Sequence, residues 1–263
     1  MTTTADLLAL HDEQIRGTIA DRTPGTWRPS WDGPVLRMVT PTQGFAFARD
    51  LDTLTVDELD AVIARTRDFF ATRGQVVEWK TYGNDRRDLT ARLALAGFAP
   101  DPRETVVVGL ARDLVAAGEP PAGVTIATTT DPADLRGIAA MESEVWDADS
   151  SWLADDLAAR VSANPDDIAI LTAKADNRIV SAAWLVLVRD TDFGALWGGS
   201  TLAGWRRRGI YRALVARRAQ IAVDRDVRYL MVDASDDSRP ILERLGLQAV
   251  TTTTPWLWKP PAA

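Results

Sequence analysis

A chain of 263 residues, 46% hydrophobic and 25% charged, can bury one large core or two modest ones, and its composition excludes wholesale disorder, collagen-like repeats and coiled coil. Thirty Lys and Arg against thirty-seven Asp and Glu leave a net charge of −7, which argues against nucleic acid or an anionic membrane as partner and fits an amine-bearing small molecule. With no cysteine, the inventory excludes disulfide scaffolds, Cys-ligated zinc, iron–sulfur clusters and thiol nucleophiles, and a lone histidine, His11 in the N-terminal segment, argues against a His-rich metal site or a Ser-His-Asp triad.

Residues 2–15 carry Asp6, Asp12 and Glu13 and lack a basic start, so no secretory signal is expected. The longest strongly apolar run, Val180 to Val188, is far short of the ~20 residues of a membrane helix, and a soluble, cytoplasmic protein is expected. Residues 1–22 read as a helix with His11 on its surface. GPVLRMV (33–39) and GFAFARDL (44–51) read as strands joined by a Pro-Thr-Gln turn. Thr55 and Glu58 form a capping-box pair ahead of Val56, Leu59, Val62, Ile63, Phe69 and Phe70, which predicts a helix up to Gly74. A strand (75–82), a helix from Asp88 to Gly97 and a strand (104–110) close the first half. Small residues and paired prolines in AAGEPPAG (116–123) mark the boundary between a domain over 1–115 and one over 123–260.

The second half opens with a strand (123–130) and a helix begun by Asp131-Pro132 that carries Leu135, Ile138, Ala139 and Met141 toward Trp146. A second helix follows from Ser151, then strands over 167–175, 178–188 and 192–202, with Asp176-Asn177 suited to the first tight turn. A helix (206–225), a strand (227–235), a helix (238–246) and a strand (251–258) end the chain. This is a mixed sheet of α+β type. RLALAGF (92–98) parallels RLGL (244–247), each followed by a Thr-containing strand, so the halves read as a degenerate internal repeat.

The chemistry concentrates in LWGGSTLAGWRRRGIYRALV (196–215), where a strand passes through Gly198 and Gly199 and a basic turn into a helix. Paired glycines permit a bulge or the close approach of a ligand. Three arginines at a helix start oppose the macrodipole unless an anion offsets them, and Gly209 leaves the amides open to a phosphate.

The strand, the turn Arg206-x-x-Gly209, the helix, the strand ending VDAS and the helix SRPILERLGL together resemble the GCN5-related N-acetyltransferases, the GNAT superfamily, whose signature is a Gln/Arg-x-x-Gly-x-Gly/Ala loop. The resemblance covers 123–258 as one complete unit and implies a tandem form whose N-terminal half is a degenerate partial copy. It implies acetyl-CoA as cosubstrate, with the diphosphate held by Arg206, Arg207, Arg208, Gly209, Ile210, Tyr211 and Arg212. Gly198, Gly199 and Ser200 would serve the acetyl carbonyl and pantetheine, with Thr201 next to them also on the cofactor; Ser235 and Ser238 would meet the pantetheine arm, and Arg244 the 3′-phosphate or adenosine. Two departures stand out. Tyr211 fills the loop's last small position, and Leu242 stands where the family often places the tyrosine that protonates the departing thiolate.

An amine acceptor with a pKa near ~10.4 must lose a proton before it attacks. Glu144 is the first candidate base, with Glu142, Asp147 and Asp233 beside it. Trp146, Trp152, Trp197 and Trp205 offer an aromatic wall on the acceptor side, and Glu78, Trp79 and Lys80 a closing edge from the first half. The expected function is transfer of an acetyl group from acetyl-CoA to a small-molecule amine, directly and through a tetrahedral intermediate, by a monomer or homodimer that uses no metal. The competing reading is a non-catalytic acyl-CoA-binding protein. A Rossmann-type dinucleotide binder is disfavoured because no strand–GxGxxG–helix unit is present.

Overall fold

The computed structural model describes residues 2–22 and 27–261, apart from the side chains of residues 21 and 22. Along the chain come α1 (Thr4–His11), β1 (Arg28–Asp32), β2 (Val35–Val39), β3 (Gly44–Ala48), α2 (Val56–Ala71), β4 (Val77–Tyr82), α3 (Leu89–Leu95), β5 (Ala99–Pro100) and β6 (Glu104–Leu110). There follow α4 (Ala111–Leu114), β7 (Thr125–Thr128), α5 (Pro132–Trp146), α6 (Trp152–Ala163), β8 (Ile168–Ala175), β9 (Arg178–Leu187), β10 (Phe193–Thr201), α7 (Ile210–Asp224), β11 (Tyr229–Ala234), α8 (Arg239–Arg244) and β12 (Gln248–Trp258). They gather into two compact units: residues 1–107, 233–240 and 249–263 in one, and 108–232 and 241–248 in the other. Each is a mixed sheet flanked by helices.

In the first unit the strand order is β1-β2-β3-β4-β12-β6. β2 and β3 are antiparallel, and β3 runs parallel to β4 with α2 as the crossover. Both bonds of the Thr55–Glu58 capping box are formed, a device worth about 1 kcal/mol. Below it Leu59, Val62, Ile63 and Phe70 enter a core with Val77, Trp79, Leu89 and Leu93, where each large apolar side chain contributes roughly 1.5–3 kcal/mol. β1 shows no apolar alternation, and Pro29 limits it to an edge; only its pairing with β2 makes it a strand.

Two expectations for this unit are corrected. The helix read over 1–22 ends at His11 and gives way to a π-helical turn (Asp12–Arg16) and a 3₁₀ turn (Ile19–Arg22). His11 is not on the surface but 1% exposed, edge-on to Tyr82 with ring centroids 5.8 Å apart. It lies four residues after Leu7, the other buried residue of α1, and so shares that inward face.

In the second unit β7, β8, β9 and β10 form an antiparallel meander, and β11 joins β10 in parallel through α7. Asp176 and Asn177, at φ +48° and +62°, make the tight turn expected of them. β9 is buried at every position from Ile179 to Leu185, which requires cover on both faces, and both α5 and α7 pack against it.

The helix–strand–helix–strand order α2-β4-α3-β6 recurs as α7-β11-α8-β12. The compact units nevertheless differ from the linear halves 1–115 and 123–260. β12 takes its antiparallel partner from β4, with Thr253 opposite Tyr82 through Trp258 opposite Val77, so the end of the chain clusters with the beginning. Among the described residues no helix is long and apolar enough to cross a membrane.

Candidate active site

The second unit holds a break in its sheet. The parallel ladder between β10 and β11 runs from Phe193 opposite Tyr229 to Ala195 opposite Met231 and stops, while β10 continues to Thr201. There its register with β9 slips between Gly198 and Ser200, leaving Gly199 as the bulge. Only glycine suits this stretch. Both residues lie at positive φ, +65° and +92°, and an added Cβ would stand 2.6 Å from the Trp184 ring at position 198 and 2.8 Å from the Tyr211 ring at 199. Buried Ser181 on β9 fixes the far side, donating to the Ser200 carbonyl at 2.6 Å and lying 2.8 Å from Thr201 Oγ1.

After β10, Arg206 Nε donates back to the Thr201 carbonyl at 3.0 Å, and the Arg208 guanidinium lies over Trp205 at 4.7 Å. Arg212 Nε donates to the Ala117 carbonyl at 2.9 Å. The backbone passes through the left-handed region at Arg207 (φ +60°) and Gly209 (φ +89°), so α7 starts at Ile210 rather than at 206. Its first i→i−4 bond joins the Ala213 N–H to the Gly209 carbonyl. The amides of Ile210, Tyr211 and Arg212 therefore precede the helical ladder and carry the positive end of the helix dipole. Arg206, Arg207 and Arg208 are exposed around them, and a Cβ built on Gly209 meets no atom of the described residues within 4 Å. A diphosphate suits this start: open space, free donors and three cations.

Glu142 is 5% exposed, a carboxylate inside a helix face. Its Oε2 accepts from Ser200 Oγ and from Trp146 Nε1, each at 2.8 Å, and its Oε1 is buried with no partner among the described residues. Burial pushes its pKa up, against the pull of those two donors. A raised carboxyl with a free oxygen beside a strand bulge has the properties of a general base. Glu144, first choice from the sequence, points elsewhere: it is exposed and paired with Arg178 at 2.7 Å. The spacing explains the difference, because Leu135, Ile138, Ala139 and Glu142 share one stripe of α5 that Glu144 lies outside. Asp147 is an exposed C-cap.

Asp233 belongs to the first unit, where it forms an ion pair with Lys80 of β4. Burial alone would lower the Lys80 pKa, but the fields of Asp233, Tyr82 and Glu78 outweigh it and raise it. Glu78 and Glu104 are both pushed up, by burial first. Asp233 thus has a structural partner that sequence reading did not identify. Ser235 and Ser238, also in the first unit, bond each other at 3.2 Å ahead of α8. Arg244 is exposed in the last turn of α8, and Leu242 is fully buried, so no phenol occupies that slot. Trp146, Trp152 and Trp197 are exposed, whereas Trp79 is core.

Residues 134–247 match the family model described as acetyltransferase (GNAT) family. No curated protein matches the chain in sequence. Among solved structures, a GCN5-related N-acetyltransferase from Kribbella flavida is similar over 100% of this chain and 97% of its own, at 19% identity and TM-score 0.71. A tandem GNAT protein from the clavulanic acid biosynthesis pathway is similar over 98% and 94%, at 14% identity and TM-score 0.65. A GCN5-related N-acetyltransferase from Sphaerobacter thermophilus is similar over 100% and 94%, at 15% identity and TM-score 0.64. At these identities the likeness is one of fold, and it extends over both units.

Proposed function

Starting from the GNAT acetyltransferase domain at residues 134–247 and the tandem GNAT fold of the whole chain, we propose that this protein transfers an acetyl group from acetyl-CoA to a small-molecule amine in the cytoplasm. The observation that carries the reading is the succession, within about twenty residues, of an ended strand ladder, a glycine bulge and an open cationic helix start. Arg206 to Arg212 would hold the diphosphate, and the backbone of Gly199, Ser200 and Thr201 would meet the acyl end. Bound acetyl-CoA supplies an activated thioester carbonyl. Glu142 is the carboxylate on which a water chain from the acceptor ends and which takes its proton, while Ser200 and Trp146 keep Oε2 in place. Because a thiol is already fairly acidic, its departure needs little help, and Leu242 in the family's usual acid slot is compatible with turnover.

Release of free CoA in the presence of an amine library tests the reading, with calorimetric binding of acetyl-CoA measured in parallel. Leu242 also favours a second reading, a non-catalytic acyl-CoA-binding protein. Tight binding of acetyl-CoA with no turnover by any amine selects that reading, and no binding at all removes both.

A further inference from the structure

Arg218 lies on α7 with 1% exposure, among the largest fully buried side chains of the protein. Its hydrogen bonds all go to main-chain carbonyls: Nε to Leu214 at 3.1 Å, and Nη1 to Trp184 at 3.4 Å and Trp197 at 3.2 Å. No carboxylate among the described residues comes within ion-pair distance of it. Burial lowers its pKa to about 10, so it remains a cation at neutral pH.

An apolar side chain of similar volume would fill this place without the cost of burying a charge. Arg218 supplies something such a residue cannot, one amino group of the guanidinium that bridges two carbonyls on neighbouring strands. Trp184 and Trp197 face each other across β9 and β10, immediately before the Gly198–Ala183 pair after which the register slips. Tyr211, seven residues earlier on the same face of α7, closes over Gly199. The bulge is thus fixed by Arg218 on its near side, by Ser181 on its far side and by the Trp184 and Tyr211 rings against its glycines.

We infer that Arg218 is a positioning residue for acyl transfer: it pins the Trp184–Trp197 pair so that the Gly199–Ser200 backbone, and with it the Ser200 hydroxyl bonded to Glu142, presents a fixed surface to the thioester end of acetyl-CoA. This rests on the acetyl-CoA reading above. It separates two functions along one segment, the helix start that holds the diphosphate and the bulge that orients the acyl end, and assigns Arg218 to the second alone.

Hydrogen exchange and calorimetry on the full chain test it, comparing wild type with Arg218→Lys and Arg218→Met and using acetyl-CoA and ADP as probes. In both variants exchange is expected to accelerate over residues 197–201 more than elsewhere. Acetyl-CoA affinity is expected to fall about tenfold in Arg218→Met and less in Arg218→Lys, which keeps a charge and a donor, while ADP affinity stays within about twofold. Unchanged acetyl-CoA affinity in a folded Arg218→Met protein, or a uniform rise in exchange, overturns the inference. If Arg218→Met does not fold, Arg218→Lys decides on the same two readouts. A wild type that binds ADP but not acetyl-CoA ends the role given to Arg218 and leaves the loop assignment standing, whereas one that binds neither ends the functional reading itself.

Discussion

Glu142 and Ser200 stand 58 positions apart in the chain and share a 2.8 Å hydrogen bond from Ser200 Oγ to Glu142 Oε2. The bond ties the buried face of α5 to β10 at the point where β10 leaves its regular register. It leaves the other oxygen of that carboxyl, Oε1, buried beside the bulge with no hydrogen-bond partner among the described residues.

Replacing Glu142 by Gln keeps an acceptor for Ser200 and removes the base. The turnover rate is expected to drop by about a hundredfold or more, with acetyl-CoA affinity little changed. Steady-state kinetics alongside calorimetry check this, and a retained rate would place the base elsewhere.

The same substitution has a stability signature. The Glu142 pKa is raised in the folded state, so its favourable contribution is complete below the ordinary glutamate value near ~4.3 and is lost as pH rises through the raised value. Gln is neutral throughout, and the melting temperature of Glu142→Gln is expected to gain on wild type between acid and neutral pH. Parallel thermal melts across that range give the sign directly.

Glu144→Gln is the contrasting case. An exposed ion pair such as Glu144–Arg178 is screened by solvent, so turnover is expected to change less than about twofold. A loss comparable to that of Glu142→Gln would reverse the roles of the two glutamates.

Gly209→Glu places a negative charge in the open space over the α7 amides and is expected to weaken acetyl-CoA binding by about a hundredfold or more. Gly209→Asn serves as the backbone control, since asparagine tolerates the left-handed conformation better than most residues, and it should bind within about tenfold of wild type. Equal binding by both variants would count against the diphosphate site.

Removing Lys80 leaves Asp233 without its cation, and Lys80→Met is expected to destabilise the fold by about 3 kcal/mol. Adding Asp233→Leu should recover much of that, because neither charge is then left unpaired. The raised Lys80 pKa keeps the pair's full contribution below the ordinary lysine value near ~10.4, and it is lost only as pH climbs through the higher folded value. Denaturant unfolding of the single and double variants, repeated at alkaline pH, measures both effects.

Much of this was legible locally. The Thr55–Glu58 capping box, Asp131-Pro132 opening α5 and Asp176-Asn177 at a hairpin depend on contacts between near neighbours, and such contacts are written in adjacent residue types. The bulge at Gly198–Gly199 and the open turn at Gly209 could be read for the same reason, since only glycine occupies those backbone conformations without strain. β1 was not legible, because an edge strand with Pro29 and no alternation owes its state to its neighbour.

Residue types and their short-range spacing were enough for most of the helices and strands, for the glycine turn ahead of α7 and for the lack of any thiol, but not for β1 or for the early end of α1. Tertiary structure alone decided which carboxylates are buried, which are paired and which retain a free oxygen. Glu142, Glu144 and Asp233 are similar acids in the sequence. They differ because Ser200, Arg178 and Lys80 are brought to them from distant points of the chain, and because burial penalises charge only where water has been removed. The same holds for β12, whose hydrogen-bonding edge could pair with any exposed strand and is paired in the fold with β4.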